Sequence, residues 1–370
     1  MIAVLCRTPV HVFRTIHMKN VLWNNKDVDI YVFDSFSGAE EVVKRLKKSG
    51  LFSRVLYIED STFSRNGYFK YTRAVLGTTT LKTELKKRLY DELYTFNIYG
   101  IANEIAYNTL KKKNKNLIFN MVEDSPYIFP VVRKITRRNK CIFSLLGLKN
   151  AQDNVDFWWF SLPDFIKPFG KGKKKQLPPM CKTDLVFRNI INDIFCFKGN
   201  KDFEKAEIIF MEESFYNDGL MKENNDLELF KMLRDVVPDK KCIVKMHPRS
   251  KENRFKDDFY VMPSDGIPWE VYALNYSVNK KILVSIGCTT MISSKLLFDD
   301  ETYSLLVYPI LKDKVIDMQT GKSYFTEKWI EKLELQKSVY SDPSKYVIAN
   351  DVQQAVDTII AWTKRIASEE

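Results

Sequence analysis

The chain has 370 residues, of which 45% are hydrophobic and 13% aromatic, and it carries a formal net charge of +11. This length and apolar content suit two globular domains of ordinary size and exclude a disordered or fibrous chain. The positive charge favours an anionic partner such as a nucleotide, a polyanionic glycan, nucleic acid or a membrane surface, and does not choose among them.

The cysteines and the N-terminus indicate the compartment. The six cysteines form no C-x-x-C pair and have no His-rich neighbourhood, so neither a zinc site nor a disulfide framework is predicted. Reduced thiols fit a cytosolic protein. The N-terminus lacks the charged and apolar regions of a signal peptide, and no run of about 18 apolar residues occurs. We therefore expect a cytoplasmic protein that does not span a membrane.

Strand and helix patterns alternate along both halves of the chain, which predicts two parallel sheets with helices on both faces. In the first half, strand patterns occupy 2–6, 29–34, 55–58 and 116–124, and helical patterns occupy 12–16, 39–49, 80–94 and 99–113. In the second half, strand patterns occupy 207–213, 241–246, 260–262, 282–286 and 304–308, and helical patterns occupy 225–236 and 351–365. The predicted fold class is α/β with GT-B architecture, in which two Rossmann-like domains have parallel sheets that face a central cleft.

A shift in composition marks the domain boundary. The segment 156–182 is rich in aromatic residues, proline and lysine, which predicts domains at 1–175 and 176–350. The remaining segment, 351–370, is predicted to be a helix that packs back on the first domain. The aromatic run Phe157–Phe160 fits either packing between domains or contact with a membrane interface. We interpret the triplet Asp27-Val28-Asp29 as a surface turn and not as a metal site.

The stretch Lys281–Phe298 has the outline of a phosphate site. It reads as a buried strand, a glycine turn, two threonines and an amphipathic helix. Backbone N–H groups at a helix start attract anions, and hydroxyl groups beside them can donate to phosphate oxygens or cap the helix. The candidate phosphate-binding residues of this stretch are Gly287, Thr289, Thr290, Ser293 and Ser294. The two serines lie one turn deeper, where packing is the more ordinary role.

His247 is one of only three histidines and lies at the end of a predicted strand. Pro248 disfavours helix for the residue before it, so the imidazole is presented from extended backbone. A histidine at this position, followed by Arg249, can supply the proton or positive charge that a departing phosphate needs. We therefore assign His247 to catalysis, and Pro248 and Arg249 to phosphate binding.

Further candidates follow three other predicted strands. Thr8, Pro9 and His11 come after the first strand, where ligands bind in parallel sheets, and are assigned to the substrate. A base that accepts a hydroxyl proton is also needed. The candidate bases are Glu123, Asp124, Glu212 and Glu213. Adjacent strand residues point to opposite faces, so at most one of each pair faces a site directly.

These residues resemble the bacterial sialyltransferases of glycosyltransferase family 52 and the related capsular polysialyltransferases, over most of the chain. The likeness rests on the motifs CRTPVH at 6–11, VEDS at 122–125, KMHP at 245–248 and GCTT at 287–290, with Pro268-Trp269-Glu270 in addition. The His-Pro motif is the most specific. Two positions depart from the family pattern, because His11 stands where relatives commonly carry glutamine and Ser125 replaces a glycine.

The resemblance implies an inverting GT-B enzyme that transfers sialic acid from CMP-sialic acid to a cell-surface glycan and needs no metal or other cofactor. Residues 1–175 would then form the acceptor-side domain, and 176–350 would bind the nucleotide sugar. His247 would contact the CMP phosphate, with Thr289 and Thr290 holding it and Glu270 joining the nucleotide site.

The resemblance leaves the base open. Asp124 or Glu123 would take the proton of the acceptor hydroxyl, and the departure at Ser125 affects this assignment. In some relatives the base follows the first strand of the second domain, which here means Glu212 or Glu213.

Two alternatives to a CMP-sialic acid enzyme stay open. One is a GT-B transferase that uses CMP-Kdo or a UDP- or CDP-activated donor, and the other is a non-catalytic protein that binds polyanionic glycan or lipid. The expected partners are a nucleotide sugar and a glycan acceptor of capsule or lipooligosaccharide, which can be lipid-linked. Basic runs at 111–115, 133–140 and 171–175 allow peripheral contact with anionic membrane on the inner face. Nucleic acid is not expected, and oligomeric state is left open.

Overall fold

The computed structural model describes residues 1–59, 79–96, 101–124, 141, 143–145, 147–165, 172–247, 250, 252–263, 266–318 and 320–369. Among the residues discussed above, Ser125, Pro248, Arg249, the basic run at 133–140 and Lys171 lie outside these ranges. The chain divides into two compact units. The first comprises Met1–Phe197 with Gly266–Pro268, and the second comprises Lys198–Asp265 with Trp269–Glu370.

The first unit contains a seven-stranded parallel sheet in the order β3-β2-β1-β4-β5-β6-β7. Its strands are β1 (Ile2–Cys6), β2 (Val28–Phe33), β3 (Arg54–Ile58), β4 (Glu92–Thr95), β5 (Ile118–Val122), β6 (Phe157–Phe160) and β7 (Lys173–Gln176). Val4 of β1 lies opposite Ile30 of β2 and Tyr94 of β4. Every residue of β1 is buried, which is why its sequence is continuously apolar.

The described helices of the first unit are α1 (Pro9–Val21), α2 (Ala39–Ser49), α3 (Thr80–Lys86), α4 (Ile101–Lys113) and α5 (Leu185–Phe195). The last of these belongs to the first unit because Phe187 packs edge-on against Phe13 and His17, with ring centroids 5.6 and 5.3 Å away. The first unit therefore extends to Phe197, whereas the sequence analysis placed its end at residue 175.

Residues 80–94 do not form the single helix that the sequence predicts. Helix α3 ends at Lys86, and Glu92–Thr95 is a strand between β1 and β5. Burial of Leu93 and Tyr94 in the sheet outweighs the helical pattern. The prediction of helix for residues 87–94 is therefore wrong.

Two other sequence interpretations are corrected in this unit. The aromatic run Phe157–Phe160 is an internal strand, β6, and the lysines that follow begin the adjacent strand β7. Asp29 is fully buried in β2, where it pairs with Arg88 at 3.1 Å and accepts a hydrogen bond from the Tyr90 hydroxyl at 2.5 Å. Val28 and Asp29 are therefore buried in β2, and only Asp27, which is exposed, fits a surface turn.

The second unit contains a six-stranded parallel sheet in the order β10-β9-β8-β11-β12-β13. Its strands are β8 (Ile208–Met211), β9 (Cys242–Lys245), β10 (Tyr260–Val261), β11 (Ile282–Ser285), β12 (Tyr303–Leu306) and β13 (Tyr346–Ile348). Its described helices are α6 (Lys201–Lys205), α7 (Asn225–Asp235), α8 (Trp269–Asn275), α9 (Ser293–Phe298), α10 (Tyr308–Leu311), α11 (Glu327–Lys337) and α12 (Val352–Ser368). Strand β8 pairs with β9 and β11, so the carboxyl ends of these three strands lie side by side.

The C-terminal helix α12 belongs to the second unit. Trp362 is buried with its ring centroid 5.4 Å from that of Tyr303 on β12, and Arg365 pairs with Asp342 at 2.8 Å. These contacts join α12 to its own unit, and its packing on the first domain stays a prediction. Within the described ranges, no helix combines the length and the apolar character that crossing a bilayer requires.

Candidate active site

In the first unit, the loop after β1 runs directly into α1. The Thr8 hydroxyl accepts a hydrogen bond from the His11 N–H at 3.2 Å, and Pro9 occupies the first helical turn. Thr8 is therefore the N-cap of α1, and Pro9 has the backbone angle that a helix start requires. Both residues fix the position of His11, one turn into the helix.

His11 is buried and held on three sides. Its Nδ1 accepts from the Arg7 N–H at 3.0 Å, its ring stacks on Phe96 at 4.5 Å, and its Nε2 contacts Asp124 Oδ1. Because Nδ1 accepts, the neutral ring carries its proton on Nε2 and donates it to Asp124. The side chain of Asp124 is 40% exposed, whereas that of His11 is 1% exposed. The pair therefore presents a carboxylate to solvent, oriented from behind by a histidine.

Glu123 has a different environment from its neighbour. Its Oε1 accepts from Arg14 at 2.8 Å and from the Ser161 hydroxyl, and its Oε2 accepts from the Ser161 N–H at 3.0 Å. The side chains of Glu123 and Arg14 are 5% and 2% exposed. A buried carboxylate with these partners ties β5 to α1 and β6. Of the two candidate bases in the first unit, the structure leaves Asp124 accessible.

In the second unit, Glu212 follows β8 and supports the end of β9. Its Oε2 accepts from the His247 N–H at 3.0 Å, and its Oε1 accepts from Arg254 at 3.1 Å. Arg254 also pairs with Asp226 at 2.8 Å. Burial raises the pKa of Glu212, while the hydrogen bonds that it accepts act in the opposite direction. Glu212 therefore holds the backbone of His247 and is too enclosed to meet a substrate hydroxyl.

His247 lies two residues beyond β9 and is partly exposed. Its carbonyl oxygen accepts from the Ser250 N–H at 2.9 Å, so both backbone polar groups of His247 are engaged. The imidazole is thus carried on a fixed backbone at the carboxyl end of the sheet, as the sequence predicts. Pro248 and Arg249, which follow it, are outside the described residues.

Glu213, two residues after β8, contacts the loop that the sequence assigns to phosphate. Its Oε1 accepts from the Gly287 N–H and from the Ser285 hydroxyl, the latter at 3.1 Å. Burial raises the pKa of Glu213 to about 7, and these hydrogen bonds oppose the shift. The Gly287 N–H is therefore bound to a carboxyl group whose charge changes near neutral pH.

The two threonines of the loop lie in a single turn of 3-10 helix, Thr289–Ile292, that leads into the six-residue helix α9. The cap is Cys288, whose sulfur accepts from the Thr290 N–H at 3.4 Å and donates to the Thr290 hydroxyl at 3.1 Å. Thr289 and Thr290 are both partly exposed. The threonines thus lie at a helix start, as predicted, but in a 3-10 turn before a short helix, and their hydroxyl groups belong to partly exposed residues.

The remaining candidates of this stretch are buried. The Ser293 hydroxyl donates to the Thr290 carbonyl at 3.0 Å, and the Ser294 hydroxyl accepts from the Trp269 indole N–H at 3.0 Å. Both serines therefore fix α9 against α8 and the loop. Glu270, the second residue of α8, is also buried. Burial raises the pKa of the Cys288 thiol to about 12, and the charges of Glu213 and Glu270 add to this shift.

Two aromatic residues that the sequence analysis did not assign to the site contact it. Phe96 forms the stacking surface beneath His11. Trp329 covers Gly287 so closely that a Cβ atom added there would lie 2.0 Å from Cη2 of the indole. Trp329 in turn packs on Phe325 and Tyr308, with ring centroids 4.6 and 5.5 Å away. The i, i+4 spacing of Phe325 and Trp329 was visible in the sequence, but it indicates a helix face and not a site.

Comparison with solved structures defines the fold class. A protein from Listeria monocytogenes described as a UDP-N-acetylglucosamine 2-epimerase aligns with a TM-score of 0.52 and 8% identity, covering 98% of this chain and 87% of the other. LpCGTa, solved in complex with UDP, aligns with a TM-score of 0.50 and 11% identity, covering 100% of this chain and 93% of the other. The two parallel-sheet α/β domains have the GT-B architecture that the sequence predicts.

Comparison with family models shows which GT-B proteins this chain resembles. The model of the alpha-2,8-polysialyltransferase family matches residues 181–307, about a third of the chain. The matched part includes Glu212, Glu213, His247, Glu270 and the loop 287–290, so it confirms the predicted resemblance. A comparison with curated proteins found no match. On this family match and this fold, the chain is a glycosyltransferase that resembles the polysialyltransferases.

Proposed function

We propose that this glycosyltransferase moves sialic acid from CMP-sialic acid to a glycan acceptor of capsule or lipooligosaccharide, with inversion at the anomeric carbon and without a metal. The observation that carries the proposal is the placement of His247 on a backbone fixed by Glu212, within the part that matches the polysialyltransferase family. The acceptor can be lipid-linked, which fits an enzyme in the cytoplasm or peripheral on the inner membrane face.

Asp124 is the base of the proposed reaction. It takes the proton of the acceptor hydroxyl as the oxygen bonds to the anomeric carbon, and the bond from that carbon to the phosphate oxygen breaks. The hydrogen bond from His11 orients the carboxylate and keeps one of its oxygens engaged. The other oxygen accepts the proton, because the side chain is partly exposed.

The second unit stabilises the departing CMP. Charge grows on the phosphate as the sialyl centre becomes cationic, so groups that interact more strongly with the leaving group than with the donor lower the barrier. His247 supplies a proton or positive charge, and the hydroxyls of Thr289 and Thr290 donate to phosphate oxygens. No metal is assigned to this task in the proposed scheme.

A thermal-shift titration tests the donor. CMP, CDP, UDP and GDP are added to the intact chain in EDTA, and we expect stabilisation by CMP alone, about 2.7 kcal/mol at 100 times Kd. His247→Ala should lose most of this stabilisation while melting as the wild type does without nucleotide. Stabilisation by UDP only, or only with a divalent cation, would overturn the proposed donor. Absence of any nucleotide effect would favour the non-catalytic alternative.

Product analysis tests the reaction itself. Incubation with CMP-sialic acid and a glycan acceptor should release CMP and form a linkage of inverted anomeric configuration, read by NMR. CMP-Kdo in place of CMP-sialic acid tests the nearest alternative donor, and preferential use of it would replace the proposed sugar.

A further inference from the structure

A polar pocket lies in the first unit, away from the carboxyl ends of its strands. The cavity has a volume of about 400 Å³, which is within the range of small-molecule sites. Tyr94, Asn120, Phe157, Trp159 and Lys175 contribute to its lining from four adjacent strands, β4 to β7. Asn120 is four residues before Asp124, roughly 13 Å along the strand direction.

Asn120 is the strongest indication that the pocket binds a ligand. The residue is 1% exposed, and its Oδ1 accepts from the indole N–H of Trp159 at 2.9 Å. Its Nδ2 has no hydrogen-bond partner among the described residues. A buried amide donor without a partner destabilises the folded chain. A ligand in the pocket that supplies an acceptor would remove this cost.

Lys175 gives the pocket its charge. Its ammonium lies 3.7 Å from the ring centroid of Phe157 and 4.8 Å from that of Trp159, and it forms no ion pair within the described residues. The other charged groups of the lining neutralise each other, because Glu92 pairs with Lys26 at 2.8 Å. Glu92 also accepts a hydrogen bond from the Tyr94 hydroxyl at 2.9 Å. The polar groups left over are two donors, one of them cationic, so the complementary ligand is an anion.

The aromatic walls indicate the shape of that ligand. The rings of Trp23 and Tyr94 lie 4.7 Å apart, and Tyr94 is 6.2 Å from Trp159. Aromatic faces beside a few polar groups suit a ring that is apolar on its face and polar at its edge. A sugar ring that bears a carboxylate has this combination, whereas an alkyl chain would leave the Asn120 donor and the Lys175 charge unmatched.

We propose that this pocket binds a carboxylate-bearing sugar residue of the acceptor glycan, away from the end that reacts. The carboxylate pairs with Lys175, a ring or acyl oxygen accepts from Asn120 Nδ2, and the ring rests against the aromatic side chains. The identity of the sugar as part of the acceptor rests on the proposed function, whereas the binding itself does not.

The test uses the intact chain and three monosaccharide probes without any donor. N-acetylneuraminic acid and glucuronic acid carry a carboxylate, and N-acetylglucosamine does not. Binding is measured by saturation-transfer NMR and calorimetry, and we expect the two acids to bind and the neutral sugar to bind at least tenfold more weakly. Equal affinity for all three probes would overturn the proposal. Displacement of the acids by an alkyl detergent at its monomer concentration would identify a lipid chain as the occupant and also overturn it.

Matched variants show whether the acids bind in this pocket. Lys175→Gln should weaken the acids about tenfold or more, since a hydrogen bond to a charged group contributes about 1.5–3 kcal/mol. Lys173→Gln is its control, because Lys173 is exposed two residues earlier on β7 and does not line the pocket. Asn120→Asp should also weaken them, with the exposed Asn116→Asp as control. Unchanged binding in Lys175→Gln would overturn the proposal. Melting temperatures identify any variant that fails to fold.

Two further readouts separate this inference from the proposed function. His247→Ala should abolish transfer and leave binding of the acids unchanged. If the acids bind but no transfer occurs with any donor, the proposed function fails and the pocket stands. If Lys175→Gln transfers to a long acidic acceptor with an unchanged KM, the pocket does not serve the acceptor.

Discussion

Glu123 and Asp124 are adjacent in the sequence, yet the structure gives them opposite surroundings. Glu123 is buried with Arg14 and Ser161, and Asp124 is partly exposed with His11 behind it. The sequence could show that only one of the two would face a site, from the alternation of a strand. It could not show which one, because the choice depends on Arg14 in α1 and Ser161 after β6.

Replacing these carboxylates separates the two roles. Asp124→Asn should lower the rate constant of transfer by about 10²–10⁴-fold, with little change in stability, because an amide oxygen still accepts from His11. Glu123→Gln should lower the free energy of unfolding by about 3 kcal/mol, because it removes the charge partner of the buried Arg14. Single-turnover kinetics and urea denaturation measure the two effects. If Asp124→Asn transfers at the wild-type rate, Asp124 is not the base and Glu213 becomes the candidate.

Glu213 makes stability depend on pH. Its pKa rises on folding from its ordinary value to about 7 through burial, so the folded chain holds this proton more tightly than the unfolded chain. The contribution of Glu213 to stability is therefore present at low pH and is lost as the pH rises to about 7. Glu213→Gln removes the titrating group, and its free energy of unfolding should fall less than that of the wild type between pH 5 and 8, by about 2–3 kcal/mol.

The same group should affect nucleotide binding. Ionised Glu213 places a negative charge at the Gly287 N–H, where a phosphate would approach. We compare the affinity of the wild type for CMP with that of Glu213→Gln. The ratio of wild-type to variant affinity should fall about fivefold between pH 6 and pH 8. The variant serves as the control for the titration of CMP itself. Parallel pH profiles for the two proteins would show that the phosphate does not bind near Glu213.

At the level of elements, residues from two other elements contact the loop after β11. Glu213, after β8, binds its backbone from one side, and Trp329 of α11 covers Gly287 from the other. The sequence predicted the strand and the turn correctly. It could not predict that a residue 42 positions further along the chain closes over the glycine, since that contact is set by tertiary packing.

The contact between Gly287 and Trp329 gives a coupled pair of variants. Gly287→Ala should destabilise the chain by about 1–3 kcal/mol, because the new methyl group overlaps the indole, and should weaken CMP. Trp329→Ala is the matched control, and the double variant should recover part of the loss, with a coupling of about 0.5–3 kcal/mol. Denaturation and CMP titration of all four proteins measure it. Additive losses would contradict the proposed contact.

Strand β4 shows where local patterns fail. Residues 80–94 have apolar residues at helical spacing, and the chain forms helix only to Lys86. The buried hydroxyl group of Tyr90 donates to Asp29 and lies 2.7 Å from that of Tyr31, which fixes the entry into β4. These partners come from β2, about 60 residues earlier in the sequence, so no local pattern contains the signal.

At the scale of the whole molecule, alternating strand and helix patterns were sufficient to predict the two parallel-sheet units and their GT-B class. The boundary between the units was harder to place. The composition shift at 156–182 coincides with β6 and β7, which complete the first sheet, and α5 then packs on α1. Proline and lysine content marks exposed chain, whereas the limit of a unit is set by the last element that buries its apolar face, here through Phe187.

The sulfur atom of Cys288 bears on how the enzyme withstands oxidants. Because burial raises the pKa of this thiol to about 12, almost none of it is thiolate at cellular pH, and thiolate is the form that peroxides and alkylating agents attack. The cap of the loop is therefore less reactive than an ordinary cysteine. Oxidants and alkylating agents should therefore modify the exposed thiols of Cys141, Cys181 and Cys196 before that of Cys288.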